Sequence, residues 1–272
     1  MKFISSSQNS TYKILRDLKK RAVREELRLT FIEGIRFVTE AIEMNWPIKQ
    51  LFFSNCFLKT EAYQKLKYAI QKLNPEPIVL SDSLFELASD TKNPQGILAV
   101  IHFFDCSLDT LLQNRTECVQ FLIMDEIKDP GNAGTMIRTA EAAGFSGVIL
   151  SEESVDIYSP KTLRATMGSI FRIPILCTDS LEKILPILKE KKVKLFGAAL
   201  DAAINYFDCS FRGCDLAIIV GNEAFGIRDT VLEMCDERIF IPILGKAESL
   251  NASIAAALLI YEVIRQNCWD KN

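Results

Sequence analysis

Asn132 and Arg138 stand six residues apart in "DPGNAGTMIRTAEAAGF" (129–145), just beyond the apolar run "VQFLIMD" (119–125). Pro130 and Gly131 read as a tight exit from a strand, Asn132 as the N-cap of a helix from about Ala133 to Ala143, and Gly144 as its stop. A loop with so little side-chain bulk suits close approach of a ligand to the backbone. Arg138 is then either a surface arginine paired with Glu141 at i+3 or a cation offered to that ligand. Two further stretches bring polar groups in similar settings: "VGNEAFGI" (220–227) with Glu223, and "IPILGKAESLNASIAAALLIYEVIRQ" (241–266) with Ser249 and Asn251 opening a long apolar helix over about 252–266. Nucleotide cradles of the common kinds are absent. There is no GxxxxGK[ST], and "GNAG" and "GNEAFG" lack the dinucleotide spacing and its acidic ribose partner.

These residues need elements to hold them. From 119 onward, apolar runs recur at 119–125, 147–151, 172–177, 194–200, 216–220 and 238–243, with helical spacing between most of them. Continuous apolar strands are buried on both faces, so a parallel, helix-covered sheet is expected. In such sheets ligands sit beyond the carboxyl ends of the strands, where all three polar stretches fall. The first part of the chain alternates differently: helices over 12–28, 33–44, 61–73 and 83–89, with strands at 48–54, 77–81 and 96–103, punctuated by "NPEP" (74–77) and "KNPQG" (92–96). The expected organisation is a small α/β domain over 1–105, a linker over 106–118 and a larger α/β domain over 119–272.

Composition narrows the chemistry. Of 272 residues, 49% are hydrophobic, enough for a substantial core. No uninterrupted apolar run is long enough for a membrane span, and the first 20 residues lack the apolar centre of a secretory signal, so a cytoplasmic protein is expected. The 8 cysteines are scattered without a CxxC pair and there is 1 histidine, which argues against a zinc site and a disulfide framework. His102, in the alternating run "ILAVIHFF", reads as a strand residue. Its being alone speaks against Ser-His-Asp and Cys-His catalysis unless it is itself the base. Residues 1–36 hold 9 Lys and Arg against 4 Asp and Glu, whereas the net charge of the whole chain is −3. A basic end on an acidic body is either a polyanion footprint or a solvated helix face.

In order and spacing, "DPGNAGTMIRTAEAAGF", "VGNEAFGI" and "IPILGKAESLNASIAAALLIYE" resemble the three motifs of the SpoU/TrmH family of SPOUT RNA 2′-O-ribose methyltransferases. "YSPKTLRATMGSIFRIPI" (158–175) is similar to the family's intermediate block, with Thr166 where serine is common. The N-terminal part, marked by "FIEG" (31–34), resembles an RNA substrate-binding domain found ahead of this catalytic domain. The resemblance implies a C-terminal parallel-sheet SPOUT domain with a trefoil knot, S-adenosylmethionine as methyl donor, RNA as partner with rRNA favoured over tRNA, no metal, and a homodimer whose active sites are completed near the subunit interface. It leaves open a tRNA methyltransferase, or an assembly factor of the same fold that binds RNA without methylating it.

The same resemblance assigns candidate residues. At the acceptor stand Arg138, Asn132, Glu223, Ser249 and Asn251; for the donor, Leu200, Gly221, Ile241, Leu250 and Ala256; for RNA, Lys19, Lys20, Arg21, Arg24 and Arg164. Each has a plainer reading: helix capping for Asn132, Ser249 and Asn251, core packing for the donor set, and an ion pair with a neighbouring acid for Arg164.

Overall fold

The computed structural model describes residues 1–73, 76–104, 106–113 and 118–268, so Asn74 and Pro75 of the "NPEP" turn and 114–117 of the expected linker lie outside the described residues. The chain divides into two compact units, Met1–Phe104 with Tyr158–Phe171, and Asp105–Ile157 with Arg172–Asn272.

In the first unit, strands β1 (Lys2–Ile4), β2 (Leu29–Glu33), β3 (Ile48–Ser54), β4 (Ile78–Leu80) and β5 (Ile97–His102) form a sheet in the order β1-β4-β3-β5-β2. β5 runs antiparallel to both β3 and β2, and the other pairs are parallel. Tyr12, Leu15, Phe31, Phe52, Leu80, Phe85 and Leu98 are among the residues of its core. Two expectations change here. The helix expected over 12–28 is two helices, Ser10–Asp17 and Arg21–Leu27, the second ended by Arg28 in the left-handed region (φ 53°). After it, "LTFIE" is a fully buried strand, because five consecutive side chains are covered on both faces and "FIEG" supplies its end.

The inserted segment Tyr158–Phe171 joins this unit through specific contacts. The Thr30 hydroxyl donates to the Tyr158 carbonyl (2.7 Å), and the Tyr158 ring stacks on Phe103 with centroids 3.7 Å apart. Its helix Pro160–Thr166 is capped by Ser159, whose Oγ accepts from the Thr162 amide at 3.2 Å. The Thr166 hydroxyl donates to the Leu163 carbonyl at 2.7 Å, so that position serves packing within the turn.

In the second unit, β6 (Gln120–Met124), β7 (Gly147–Ser151), β8 (Ile175–Thr178), β9 (Lys194–Ala198), β10 (Ile204–Asn205), β11 (Leu216–Val220) and β12 (Glu237–Phe240) form a seven-stranded sheet in the order β10-β12-β9-β11-β6-β7-β8. All of its pairs are parallel. β6, β7 and β11 are buried along their whole length, as expected for strands covered on both faces. One face packs Leu181, Leu185 and Leu188 of the helix Leu181–Glu190 into a cluster with Phe121, Ile123, Leu195 and Ile219. Elsewhere the helix Ala252–Cys268 packs on the helix Pro130–Ala142 and on β11. The expected linker is not irregular throughout: Leu108–Gln113 is a helix whose Leu111 and Leu112 enter the same cluster, because its apolar pair gains more from burial than from solvent.

From β6 the chain moves outward one way through β7 and β8, and β11 lies on the other side of β6. This reversal is a topological switch point, and a parallel sheet opens a crevice beyond the carboxyl ends of the two strands that flank it. The loops after β6 and β11 carry Asn132 and Glu223.

Candidate active site

The loop after β6 begins with Asp125, which has no exposed surface. Asp125 is held by Arg228: the Arg228 amide donates to Oδ2 (2.9 Å) and Nε to Oδ1 (2.9 Å), while Nη1 reaches Glu182 Oε1 (3.0 Å). This bolt ties the end of β6 to the far end of the loop after β11. Burial disfavours the guanidinium charge, yet the bonds and field of Asp125, with the fields of Glu182 and Glu126, raise its pKa above the ordinary value.

Beyond it the helix Pro130–Ala142 starts, and the N-cap differs from the sequence reading. Asp129 caps it, its Oδ1 accepting from the Asn132 amide at 2.8 Å, with Pro130 in the first turn where a missing N–H costs nothing. A Cβ on Gly131 would stand 2.9 Å from that carboxylate oxygen, which explains the glycine. Because Asp129 takes the capping role, the Asn132 side chain is released for other partners.

It bridges two loops. Asn132 Nδ2 donates to Glu223 Oε1 (2.9 Å), and Asn251 Nδ2 donates to Asn132 Oδ1 (3.0 Å). Asn251 Oδ1 then accepts from the Ser253 amide (2.9 Å), the Ser253 hydroxyl (2.6 Å) and the Ile254 amide (3.3 Å), capping the helix Ala252–Cys268. The direction of this chain follows from one charge. An ionised carboxylate only accepts, so Asn132 must turn its amide to Glu223 and its carbonyl oxygen to Asn251, which must donate in turn.

Glu223 also accepts from the Lys128 amide (3.2 Å) and the Asp129 amide (3.1 Å). Partial burial opposes the charge, but the bond from Asn132 and those from the backbone outweigh it, and the pKa lies below the usual glutamate value. The loop around Glu223 is rigid for reasons the sequence reading missed. Asn222 Oδ1 accepts from the Ala224 (2.9 Å) and Phe225 (3.2 Å) amides, and its Nδ2 donates to the Glu126 carbonyl (2.8 Å). A Cβ on Gly221 would come within 2.1 Å of the backbone at Gly226 and Ile227, so only glycine lets the loop close on itself.

Three of the five expected acceptor-side residues therefore meet: Asn132, Glu223 and Asn251. Arg138 and Ser249 do not join them. Arg138 is exposed, and among the described residues no hydrogen bond or ion pair engages it. Its expected partner Glu141 is held by Arg172 instead, at 2.9 and 3.2 Å. Six residues along a helix is roughly 240° of rotation and about 9 Å of rise, so Arg138 faces away from Asn132. Ser249 is exposed and makes no hydrogen bond among the described residues; the capping expected of it falls to Asn251 alone.

The donor-side residues form an open apolar margin. β12, β9 and β11 are neighbours, and the segments beyond them carry Leu200, exposed by 65%, Leu244, exposed by 98%, and the half-buried Ile241 and Leu250. Apolar side chains held in solvent at the strand ends fit an adenosine, whose faces need carbon. Ala256 does not belong to this margin. It has no exposed surface and lies within the helix layer, where a methyl serves close packing.

Of the RNA-side residues, Arg24 requires correction: it is only 4% exposed, and its Nη1 donates to the carbonyls of Leu18 and Lys19 (both 2.9 Å), closing the end of the preceding helix. Lys19 donates to the carbonyls of Leu87 (3.2 Å) and Ser89 (2.8 Å), Lys20 pairs with Asp17 (3.3 Å), and Arg21 with Glu25 (2.6 Å). Arg164 forms the ion pair that its plainer reading anticipated, with Asp90 at 2.7 Å. No His, Cys, Asp and Glu cluster able to hold a metal ion occurs among the described residues.

A parallel sheet with a rigid polar chain at its switch point and an open apolar margin beside it defines an α/β enzyme that handles a small ligand at its strand ends. The sequence model of the SpoU rRNA Methylase family matches residues 120–261, and that of the MRM3-like substrate binding domain matches residues 9–99. The chain belongs to the SpoU rRNA methylase family. It is 34% identical to the 23S rRNA (guanosine(2553)-2′-O)-methyltransferase RlmP of Bacillus subtilis (strain 168), covering 97% of this chain and 99% of that relative. Among solved structures it resembles the SpoU methyltransferase AviRb of Streptomyces viridochromogenes in complex with AdoMet, with a TM-score of 0.87 and 26% identity over 95% of this chain and 98% of the other. The AdoMet-bound rRNA methyltransferase of Sinorhizobium meliloti is similar with a TM-score of 0.86 and 28% identity over 97% of each chain.

Proposed function

We propose that this chain transfers a methyl group to a ribose 2′-hydroxyl of ribosomal RNA, using S-adenosylmethionine. The observation that carries this reading is the Glu223–Asn132–Asn251 chain at the switch point, next to the apolar margin, in a member of this family. When bound, the sulfonium donor supplies an electrophilic methyl. What the protein supplies is position. Leu200, Ile241, Leu244 and Leu250 line the donor side and exclude water, and the main chain at Gly221 reads the edge of the adenine. Asn132 and Asn251 hold the three loops in one arrangement before substrate arrives, and Ser249, exposed and unengaged, offers a hydroxyl to the acceptor nucleotide.

Arg138 holds the phosphate beside the reacting ribose and stabilises negative charge developing on the 2′-oxygen. It is not the base, because a guanidinium stays protonated in proteins and does not give up its proton. The proton leaves to phosphate or water. Arg138 faces away from Asn132 on its own helix, so it serves a neighbouring copy in a homodimer. Ile254, Leu258 and Tyr261, exposed at i, i+4 and i+7 along the helix Ala252–Cys268, provide an apolar stripe for that contact. The trefoil knot implied by the resemblance is part of this reading.

The test incubates the protein and its Arg138→Ala variant with methyl-labelled S-adenosylmethionine and separate pools of unmodified ribosomal RNA and tRNA. Label is expected in the ribosomal pool with wild type only, at a 2′-O-methyl nucleotide. Label in tRNA alone, or none in either pool despite donor binding, defeats the proposal. An Arg138→Lys variant with near-full activity would show that the planar fork is unnecessary.

A further inference from the structure

The first unit holds a cavity of about 340 Å³ to which, of the site residues above, only Arg164 contributes. Its walls come from both parts of the unit: Phe37 and Glu40 on the helix Ile35–Glu43, Asn93 and Gln95 in the turn before β5, and Arg164 and Met167 on the inserted segment. That volume lies at the lower end of small-ligand sites, which suits a single nucleotide and not a helix or a peptide.

Its chemistry is specific. The Phe37 ring, anchored against Phe171 at 5.2 Å, and the half-exposed thioether of Met167 supply carbon surfaces. Gln95 Oε1 accepts from the Ile35 amide (2.7 Å), which fixes the side chain and leaves its NH₂ to donate. Asn93 is exposed, and among the described residues nothing engages it, so it offers both a donor and an acceptor. Glu33, which also lines the cavity, has its carboxylate oxygens satisfied by the Ser89 and Thr91 hydroxyls and the Asp90 amide, so it presents no unbonded acceptor to a ligand. A Cβ on Gly168, at φ +91°, would meet the Glu40 carboxylate at 1.8 Å, so glycine there is what allows that carboxylate its place in the wall.

The mouth carries Arg36. Unlike Lys19, Lys20, Arg21 and Arg24, whose charged groups are all engaged within the unit, Arg36 is exposed, and no hydrogen bond or ion pair among the described residues occupies it. An apolar slot with an aromatic wall, amides that read an edge and a free guanidinium at its rim matches a nucleobase with its phosphate. We propose that this cavity receives one unstacked nucleobase of the RNA substrate, with Arg36 on the adjoining phosphate. The inference rests on the reading that the chain acts on RNA, and moves recognition away from the basic residues Lys19, Lys20, Arg21 and Arg24.

The experiment measures binding and methylation of unmodified ribosomal RNA by wild type, Arg36→Ala and Phe37→Leu, with donor affinity and melting temperature read in parallel. Each variant is expected to raise the RNA Kd and KM roughly tenfold, with kcat at saturating RNA and donor affinity unchanged. Arg36→Ala alone should lower the slope of log affinity against log salt by about one counterion. RNA affinity within twofold of wild type in both variants overturns the proposal. So does a loss confined to Phe37→Leu and accompanied by a lowered melting temperature, which is a folding effect. Failure of wild type to methylate any RNA while binding it normally defeats the proposed reaction and leaves the cavity to be judged on the binding data.

Discussion

Glu223 is the residue from which the polar chain takes its direction, because a carboxylate that only accepts fixes both amides behind it. Its folded-state pKa lies below the ordinary value, with burial opposing and the bonds from Asn132 and the backbone prevailing. A depressed folded pKa contributes stability that is complete above the unfolded value of about 4.3 and is lost as pH falls through the folded one. The three-loop arrangement should thus be indifferent to pH in the neutral range and loosen in acid, below about pH 4. In Asn132→Leu the carboxyl should titrate at higher pH than in wild type, followed by carboxyl-carbon NMR of Glu223; an unchanged titration would mean that Asn132 does not hold the charge. Strand order and spacing placed the three loops at one end of the sheet, and the resemblance to the SpoU/TrmH motifs named Glu223, Asn132 and Asn251 within them. Sequence could not show that Asp129 would take the cap and free Asn132, because Asp and Asn three residues apart compete for that role with similar strength.

At the scale of the element, the loop after β11 is shaped by close approach of backbone to backbone. Gly221→Ala puts a methyl 2.1 Å from main-chain atoms that cannot rotate away, so it should displace the loop and reduce donor affinity at least tenfold, measured by calorimetry. Arg228 acts differently, as the bolt between β6 and the loop's far end. Arg228→Met leaves the Asp125 carboxylate buried without its cation and should destabilise the protein by on the order of 2 kcal/mol in urea unfolding, at the low end for a buried pair because Arg228 is itself partly exposed. The six long strands of the second unit were legible from their apolar runs. Arg228 and Glu182 were not, since a charged pair closed by residues 103 and 46 positions away leaves no local pattern. β2 was missed for a related reason: "LTFIE" follows a helix and precedes one, and five residues of mixed polarity carry neither period clearly.

The whole molecule presents its apolar stripe outward. Ile254, Leu258 and Tyr261 remain exposed although the rest of their helix is well packed, a pattern that fits association with a second copy. Leu258→Glu is expected to yield a monomer by sedimentation and, if Arg138 serves the neighbouring copy, to cut methyl transfer at least a hundredfold while leaving the fold intact; a dimer with full activity would place the contact elsewhere. The division into two units was only partly readable. The change in element rhythm and the polar stretch between separated the first hundred residues from the rest, but Tyr158–Phe171 reads as a loop of the second unit and belongs with the first, because its partners Thr30 and Phe103 lie far back in the chain.

That detour sets a timetable for synthesis. Thr30 and the carbonyl it bonds are 128 residues apart, so a ribosome adding about 5–20 residues per second delivers the second roughly 10 s after the first. Until then the nascent first unit waits with one wall missing, and the sheet that follows is interrupted while it supplies that wall. A stop after residue 105 therefore does not release a finished small domain, and the first unit should resist proteases only once the nascent chain has passed Phe171 and cleared the exit tunnel.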